Sequence, residues 1–455
     1  MVTRAGIIKS MTPTMEDAQS NRTLPADDPQ RGQLHNEVHA RPSAQICLPA
    51  LVVYVAVFND GVTRDAECAH LQKLPGQQYL ATESLKDNFL RLALDGYNVK
   101  WERHTEFTRY SIVQPLPDTV GLEGGTAELL TPALLLPPGW LARIPGRTVV
   151  AIRLAMVHDE LADLPGSLQK AQHLFADGTL VAAHMGTGGH SCVMTDFWLR
   201  DDGFEHMLVL APKATSETRA GRISQRLLEL ETYRLIALLG LPVAKQLAPI
   251  LAVAEEQLAE IAARLERKAD PDQDLLDTLV SLAARVESAI ADNAYRFSAT
   301  RAYDTLVGQR IAELREAPVA GAQTIGAFMQ RRLSPAMATV VATSQRLTSL
   351  SERVARTSAL LRTRVDIATE QQSRQLLEKL TRGQELQLRL QATVEGLSIA
   401  AISYYVVSLV LYAGKALKAA GLPLNPEVAA GVSIPLVLWA VWRATRHIHA
   451  KIIKR

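Results

Sequence analysis

Gly396-Leu-Ser-Ile-Ala-Ala-Ile-Ser-Tyr-Tyr-Val-Val-Ser-Leu-Val-Leu-Tyr-Ala-Gly414 carries no charged side chain from end to end. Wound as an α-helix it is about 28 Å long, close to the hydrocarbon thickness of a bilayer. Gly396 and Ala400 stand at small-xxx-small spacing and Ser398, Ser403 and Ser408 follow, which lets a second helix come close. A second apolar run, Val428 to Trp442, comes after a short loop. At about 22 Å it is short for a span; Pro435 predicts a kink inside it, and Trp439 and Trp442 suit a membrane interface. The two runs are expected as transmembrane helices, 396–414 and 428–442, paired as a C-terminal two-helix hairpin. An interfacial or re-entrant second run is the alternative.

The last residues, 443–455, form a basic tail with Arg443, Arg446, Lys451, Lys454 and Arg455. The loop between the runs holds Lys415 and Lys418 against Glu427. By the positive-inside rule the tail is cytoplasmic, and two spans then place everything before Gly396 in the cytoplasm as well. Residues 1–29 lack the apolar run of a secretory signal and are expected as a disordered leader.

Upstream of the first span the chain reads as helix. Ser334-Pro335 offers a serine N-cap followed by proline at the first helical position, and no proline follows until Pro423. One helix is therefore expected to run from Pro335 through Gly414, with Gly383 and Gly396 as its bends. Val340, Leu347, Val354, Leu361 and Ala368 recur every seven residues, but Thr343, Thr357 and Arg364 spoil the companion seam, so this is a bundle helix rather than a long coiled coil. The arginines from Arg346 to Arg389 alternate with acids and describe a solvated mixed-charge face. Before Ser334, Leu247, Leu251, Ala254, Leu258, Ile261 and Leu265 form one stripe and Leu275, Leu279, Leu282, Val286, Ile290 and Asn293 another. With Asp270-Pro271-Asp272 between them, they predict an antiparallel helical hairpin. Residues 217–395 are thus expected as an all-α bundle and stalk.

Residues 30–215 mix strands and helices. Cys47 to Phe58 is a β-branched apolar run closed by Asn59-Asp60-Gly61, a buried strand. Leu74 to Leu94 has helical spacing in its second half, at Leu85, Phe89 and Leu92, and ends near Asp95-Gly96; Val99 to Val113 alternates as a strand, Thr148 to Met156 is a further strand, and Leu161 to Asp177 is expected as a helix. Ser191–Leu199 and His206–Leu210 read as strands around Asp201-Asp202-Gly203. The fold class is therefore an α+β N-terminal domain followed by an all-α bundle and stalk and the transmembrane hairpin.

Over 455 residues, 49 basic side chains face 47 acidic ones, and a formal charge of +2 gives no field for nucleic acid. Cys47, Cys68 and Cys192 are odd in number and far apart, which fits a reducing compartment. His35, Glu37 and His39 would share one face of a strand, and with His104 they are the candidate metal ligands. His184-Met-Gly-Thr-Gly-Gly-His190 lacks the lysine and following helix of a phosphate loop and reads as a turn. Cys192 next to His190 is a weak thiolate candidate, and Trp101-Glu-Arg-His104 reads as a salt-bridged sheet face. No catalytic residue and no cofactor are expected.

Several motifs lie in one order along the chain: Asn36-Glu-Val-His-Ala-Arg-Pro42, Trp101-Glu-Arg-His-Thr-Glu-Phe107, Thr195-Asp-Phe197, Glu229-Leu-Glu-Thr-Tyr-Arg234, Arg331-Arg-Leu-Ser-Pro-Ala-Met337, Leu361-Arg-Thr-Arg-Val-Asp366, Thr393-Val-Glu-Gly-Leu-Ser398 and Ile402-Ser-Tyr-Tyr405. They resemble the bacterial family catalogued as domain of unknown function 3422. The resemblance implies a bacterial inner-membrane protein with a C-terminal anchor and carries over no catalytic residue. The layout is also similar to that of CorA-type magnesium transporters, but their Gly-Met-Asn loop is absent between Lys415 and Glu427. The expected function is a membrane-anchored binding or scaffold module whose partners are the bilayer, further copies of itself and a cytoplasmic protein. The alternatives are an oligomeric channel or transporter, and a metal-dependent enzyme using His35, Glu37 and His39.

Overall fold

Strand β1, Ala50–Phe58, is buried at every position but the last. A strand whose two faces are both apolar must be covered on both, so β1 places itself at the centre of a layered unit. The computed structural model describes residues 28–31, 44–122, 127–175, 180–267, 271–420 and 425–452. Packing divides these into two units, one of the described residues up to Leu258 together with Leu282–Arg353, the other of Ala259–Ser281 together with the residues from Val354 onward.

The first unit holds a mixed sheet. Its strands are β1, β2 (Phe89–Leu94), β3 (Tyr97–Arg103), β4 (Phe107–Pro115), β5 (Arg147–His158), β6 (Val181–Met185), β7 (Ser191–Leu199), β8 (Glu205–Ala211) and β9 (Ala317–Pro318), in the order β2-β3-β4-β1-β5-β8-β7-β6-β9. Of the described strand pairs β5 with β8 is parallel and the others are antiparallel; β5 and β8 are joined by a crossover that includes α2 (Leu164–Ala171) and the β6–β7 hairpin. One face carries Leu51, Val53, Trp101, Tyr110 and Leu208 against Leu71 of α1 (Arg64–Leu71) and the loop residue Trp140. The other face is covered by α3 (Glu217–Leu238), which crosses β1 and β5. Each fully buried aliphatic or aromatic side chain there contributes about 1.5–3 kcal/mol.

Two expectations are corrected here. Phe89–Leu94 is a strand and not the end of a helix, because Leu90, Leu92 and Leu94 alternate with exposed Arg91 and Ala93. Asp95-Gly96 is accordingly a hairpin turn, with Gly96 at φ +78 and Leu94 paired to Tyr97. Such a dipeptide serves a hairpin as well as a helix end. Val99–Val113 is two strands, β3 and β4, reversing at His104-Thr105-Glu106. The remaining strand expectations hold within a few residues, and His184–His190 is the β6–β7 turn, with Gly186, Gly188 and Gly189 all at positive φ.

The helices are long. After α3, Gly240 opens α4 (Gly240–Arg267) directly, and α5 (Asp272–Leu314) follows Pro271. Arg285 of α5 donates to Gln257 of α4 at 2.6 Å, positions placed evenly about Pro271, as an antiparallel hairpin requires. The chain then touches the sheet edge through β9, passes α6 (Ile325–Arg332) and enters α7 (Ser334–Ala419), 86 residues of unbroken helix across both Gly383 and Gly396. In the first unit Met337, Val340, Thr343, Leu347 and Leu350 are its buried stripe. In the second, Leu361 is buried, and Arg364 pairs with Asp272 at 2.9 Å and donates to the Leu265 carbonyl at 2.8 Å. From Asp366 through Val394 every residue of the helix is exposed. Helix α8 is Pro426–Ile452, with Pro435 inside it as expected. The expected leader lies outside the described residues apart from 28 and 29.

Candidate functional site

The most unusual surface belongs to the second unit. Across 396–414 the large apolar side chains point outward: Tyr404 is 70% exposed and Leu409 67%. On α8, Val428, Val432, Leu436 and Trp439 are likewise exposed. Two helical stretches, Ile325–Ala419 and Pro426–Thr445, are long and apolar enough to cross a membrane, and only 6% of the most apolar part of each is buried. Glu217–Arg267 also qualifies by composition, but a third of its most apolar part is packed within the protein. At the base of the two helices Gly414 backs onto Pro426, where an added Cβ would lie 3.3 Å from the proline side chain. Lys415 lies over Tyr412 and Arg443 over Trp439, cations against aromatic faces at the ends of the apolar runs.

In the sheet unit the polar groups are drawn inward. Glu102 on β3 receives Arg109 of β4 through two hydrogen bonds, at 2.6 and 2.9 Å, and Lys100 at 3.0 Å. Arg109 also reaches Glu229 of α3 at 3.2 Å, and Glu229 takes Arg310 of α5 at 2.7 Å. Arg310 continues to Glu313 at 2.6 Å and Glu313 to Arg226 at 3.4 Å. Burial alone would raise the Glu102 carboxyl, but Arg109 and Lys100 hold it down to about 2. Glu229 belongs to Glu229-Leu-Glu-Thr-Tyr-Arg234, and the neighbouring members follow the same logic. Thr232 bonds the Tyr54 hydroxyl at 2.8 Å, and Glu231 pairs with Arg234. A single helical turn thus ties α3 to the sheet with polar contacts.

Beside it lies a buried carboxyl pair. Glu205 on β8 stands against Glu231, and burial followed by the Glu231 charge pushes it up to about 9, so that it is protonated at neutral pH. Thr195-Asp-Phe197 supplies the neighbouring bulge. Phe197 adopts φ +51, stacks on Phe328 at 4.7 Å and lies under the Arg234 guanidinium. Asp196 holds Arg200 at 2.6 Å.

Of the candidate metal ligands, His35, Glu37 and His39 lie outside the described residues. His104 is in the β3–β4 turn, stacked on Phe107 at 4.5 Å, its carbonyl accepting from Asn59 at 2.8 Å. Among the described residues no group of three His, Cys, Asp or Glu could hold a metal ion. Cys192 is fully buried opposite His184 on the neighbouring strand, and burial, then Asp159, pushes its thiol up to about 12, where it is inert as a nucleophile. Trp101 and Arg103 do face away from Glu102, and Arg103 meets Glu67 of α1 at 2.8 Å.

The architecture comprises a mixed-sheet unit covered by helices and a second, helical unit. The chain belongs to the family described as Protein of unknown function (DUF3422), whose model matches residues 26–452. No curated protein and no solved structure matches it.

Proposed function

We propose that the chain is a membrane-anchored binding or scaffold module. Residues 396–414 and 428–442 cross the bacterial inner membrane as a hairpin, and the sheet unit and basic tail lie in the cytoplasm. The observation that carries this reading is the outward display of tyrosine, leucine, valine and tryptophan along both segments, far beyond the apolar patches that a water-facing monomer tolerates. The helix satisfies its own backbone polar groups, as hydrocarbon demands. Homo-oligomerisation is part of the reading: on the bare stretch of α7, Leu376, Leu380, Leu390 and Val394 are exposed at spacings that share one helix face, a stripe suited to the same stripe on another copy.

The test is fractionation followed by labelling in intact cells. The full chain should stay with membranes through high-salt and alkaline washes and leave them in detergent. Introducing V406R with L409R, at a cost of about 2.5–3.5 kcal/mol for each arginine near the bilayer centre, should abolish that retention. An impermeant thiol reagent should reach K418C in the loop and spare K454C in the tail. Release of the wild-type chain by salt alone would sink the reading.

A further inference from the structure

Where the buried ion chain of the sheet unit ends, at Arg226 and Glu313, a cavity of about 350 Å³ opens. Its walls come from three places: the β6–β7 turn with Gly186, Thr187 and His190, the first turns of α3 with Arg219, Arg222 and Arg226, and the end of α5 with Glu313 and Arg315. Four guanidinium groups therefore face one carboxylate, and that carboxylate is already engaged by Arg226 and Arg310. Arg219 and Arg222 make no ion pair with any described residue. Arg315 is held in place by donating to the Thr187 hydroxyl at 2.9 Å, from a backbone at φ +47 that a non-glycine residue seldom adopts.

Like charges gathered in a concave site repel one another, and the arrangement is stable when an anion enters among them. Guanidinium forks match the oxygens of phosphate two at a time. The turn suits close approach: Gly186 sits at φ +80 with the His190 ring where a side chain would be. Burial, and after it the Arg219 charge, push His190 below the ordinary imidazole range, so the ring is neutral and is available to donate or accept one hydrogen bond. Met185, Ile223 and Leu314 add an apolar wall. A volume of this size is at the small end of ligand sites and exceeds what one phosphate group fills.

We infer that this cavity binds a small multiply charged phosphate compound, a pyrophosphate or a phosphate ester with a modest organic part, through Arg219, Arg222 and Arg315. The inference is independent of where α7 and α8 reside, since every residue of the cavity is in the sheet unit.

The experiment is titration calorimetry of the full-length chain in an uncharged maltoside detergent at about 0.15 M salt, with inorganic pyrophosphate, inorganic phosphate and sulfate as probes. Pyrophosphate should bind more tightly than sulfate. R219Q/R222Q should weaken it at least tenfold at an unchanged melting temperature. R91Q/R332Q, which removes the same charge from exposed positions outside the cavity, should leave it unaltered. Phosphatidylglycerol added to the micelles separates the two sources of phosphate: competition lost in R219Q/R222Q identifies a lipid headgroup as the ligand, and no competition identifies a free solute. Absence of pyrophosphate binding, or equal loss in R91Q/R332Q, overturns the inference.

Discussion

Two apolar runs of this chain, Ala50–Phe58 and Ile402–Tyr412, have similar side chains and opposite surroundings. In the first, Leu51, Val53, Tyr54 and Val57 are sealed between helices and the polar ends are paired, the Tyr54 hydroxyl with Thr232. In the second, the tyrosines and leucines are outside, and the side chain that is buried is Ser403, whose hydroxyl has no hydrogen-bond partner among the described residues. The ordinary partition, apolar in and polar out, is inverted over a few turns of helix. An inverted segment is at rest when its exterior is itself apolar, so the same residue types make a core in one place and, under the proposed anchoring, a lipid-facing surface in the other. The charges follow suit. The sheet unit spends burial on a chain of ions from Lys100 to Arg226, whereas 396–414 has none to place.

The largest effect should come from breaking that ion chain where it is most buried. R109L leaves Glu102 with Lys100 alone and removes one partner of Glu229, and a buried pair broken on one side costs about 3–5 kcal/mol. Urea unfolding followed by the fluorescence of Trp101 and Trp140 should report this loss, while membrane retention should not change. E102L added to R109L should recover part of it, since no carboxylate is then stranded on β3. If R109L unfolds with the wild type, the ions are ornaments of the sheet, and the contrast between the two runs reduces to apolar burial alone.

A middle-sized effect is expected from Glu205. Its carboxyl is raised from the ordinary 4.5 to about 9, so the folded chain holds a proton that the unfolded chain has released between those values. The stability it contributes is complete below about pH 4.5 and is lost as the pH rises towards 9, with a steepest slope on the order of 1 kcal/mol per pH unit. The amide of E205Q imitates the protonated acid. The wild-type melting temperature should therefore fall from pH 5 to pH 9 more steeply than that of E205Q, groups such as His190 and Cys192 cancelling in the difference. Parallel curves would place the proton elsewhere.

How much of this was legible beforehand depended on whether neighbours in sequence decide the structure. The start of α7 could be read at Ser334-Pro335, and its length from the want of a later proline, because a helix is closed by bonds four residues apart. β1 could be read from β-branching alone. Phe89–Leu94 misled because Leu85, Phe89 and Leu92 fit helical spacing, and only pairing with Tyr97–Glu102 decides against it. The turn at His104–Glu106 has neither glycine nor proline to announce it. The arginine cavity was the least visible: Arg219, Arg222 and Arg226 do stand on one helix face by their spacing, but the glycine turn and Arg315 join them from about thirty residues before and about ninety after, through the sheet edge. The exposed apolar helices were the reverse case. The fold leaves them uncovered, so composition sufficed to suggest them.

The smallest effect carries the same contrast to a covered and a bare position on the helices. Leu258 in the α4–α5 hairpin is buried, and L258A should cost about 2–5 kcal/mol through lost transfer energy and the cavity left behind. Leu380 on the bare stretch of α7 is 57% exposed, and L380Q should change unfolding of the sheet unit by less than about 0.5 kcal/mol. Its consequence should appear in association instead. In the proposed assembly Leu380 joins Leu376, Leu390 and Val394 in the stripe offered to another copy, and a polar amide at the middle of a helix pair weakens that pair without touching either fold. The mass of the detergent-solubilised chain by light scattering should therefore drop towards the monomer in L380Q at an unaltered unfolding midpoint. If L380Q instead unfolds as early as L258A, the stripe is covered by the chain itself, and the difference between core and bare helix drawn above fails at this position.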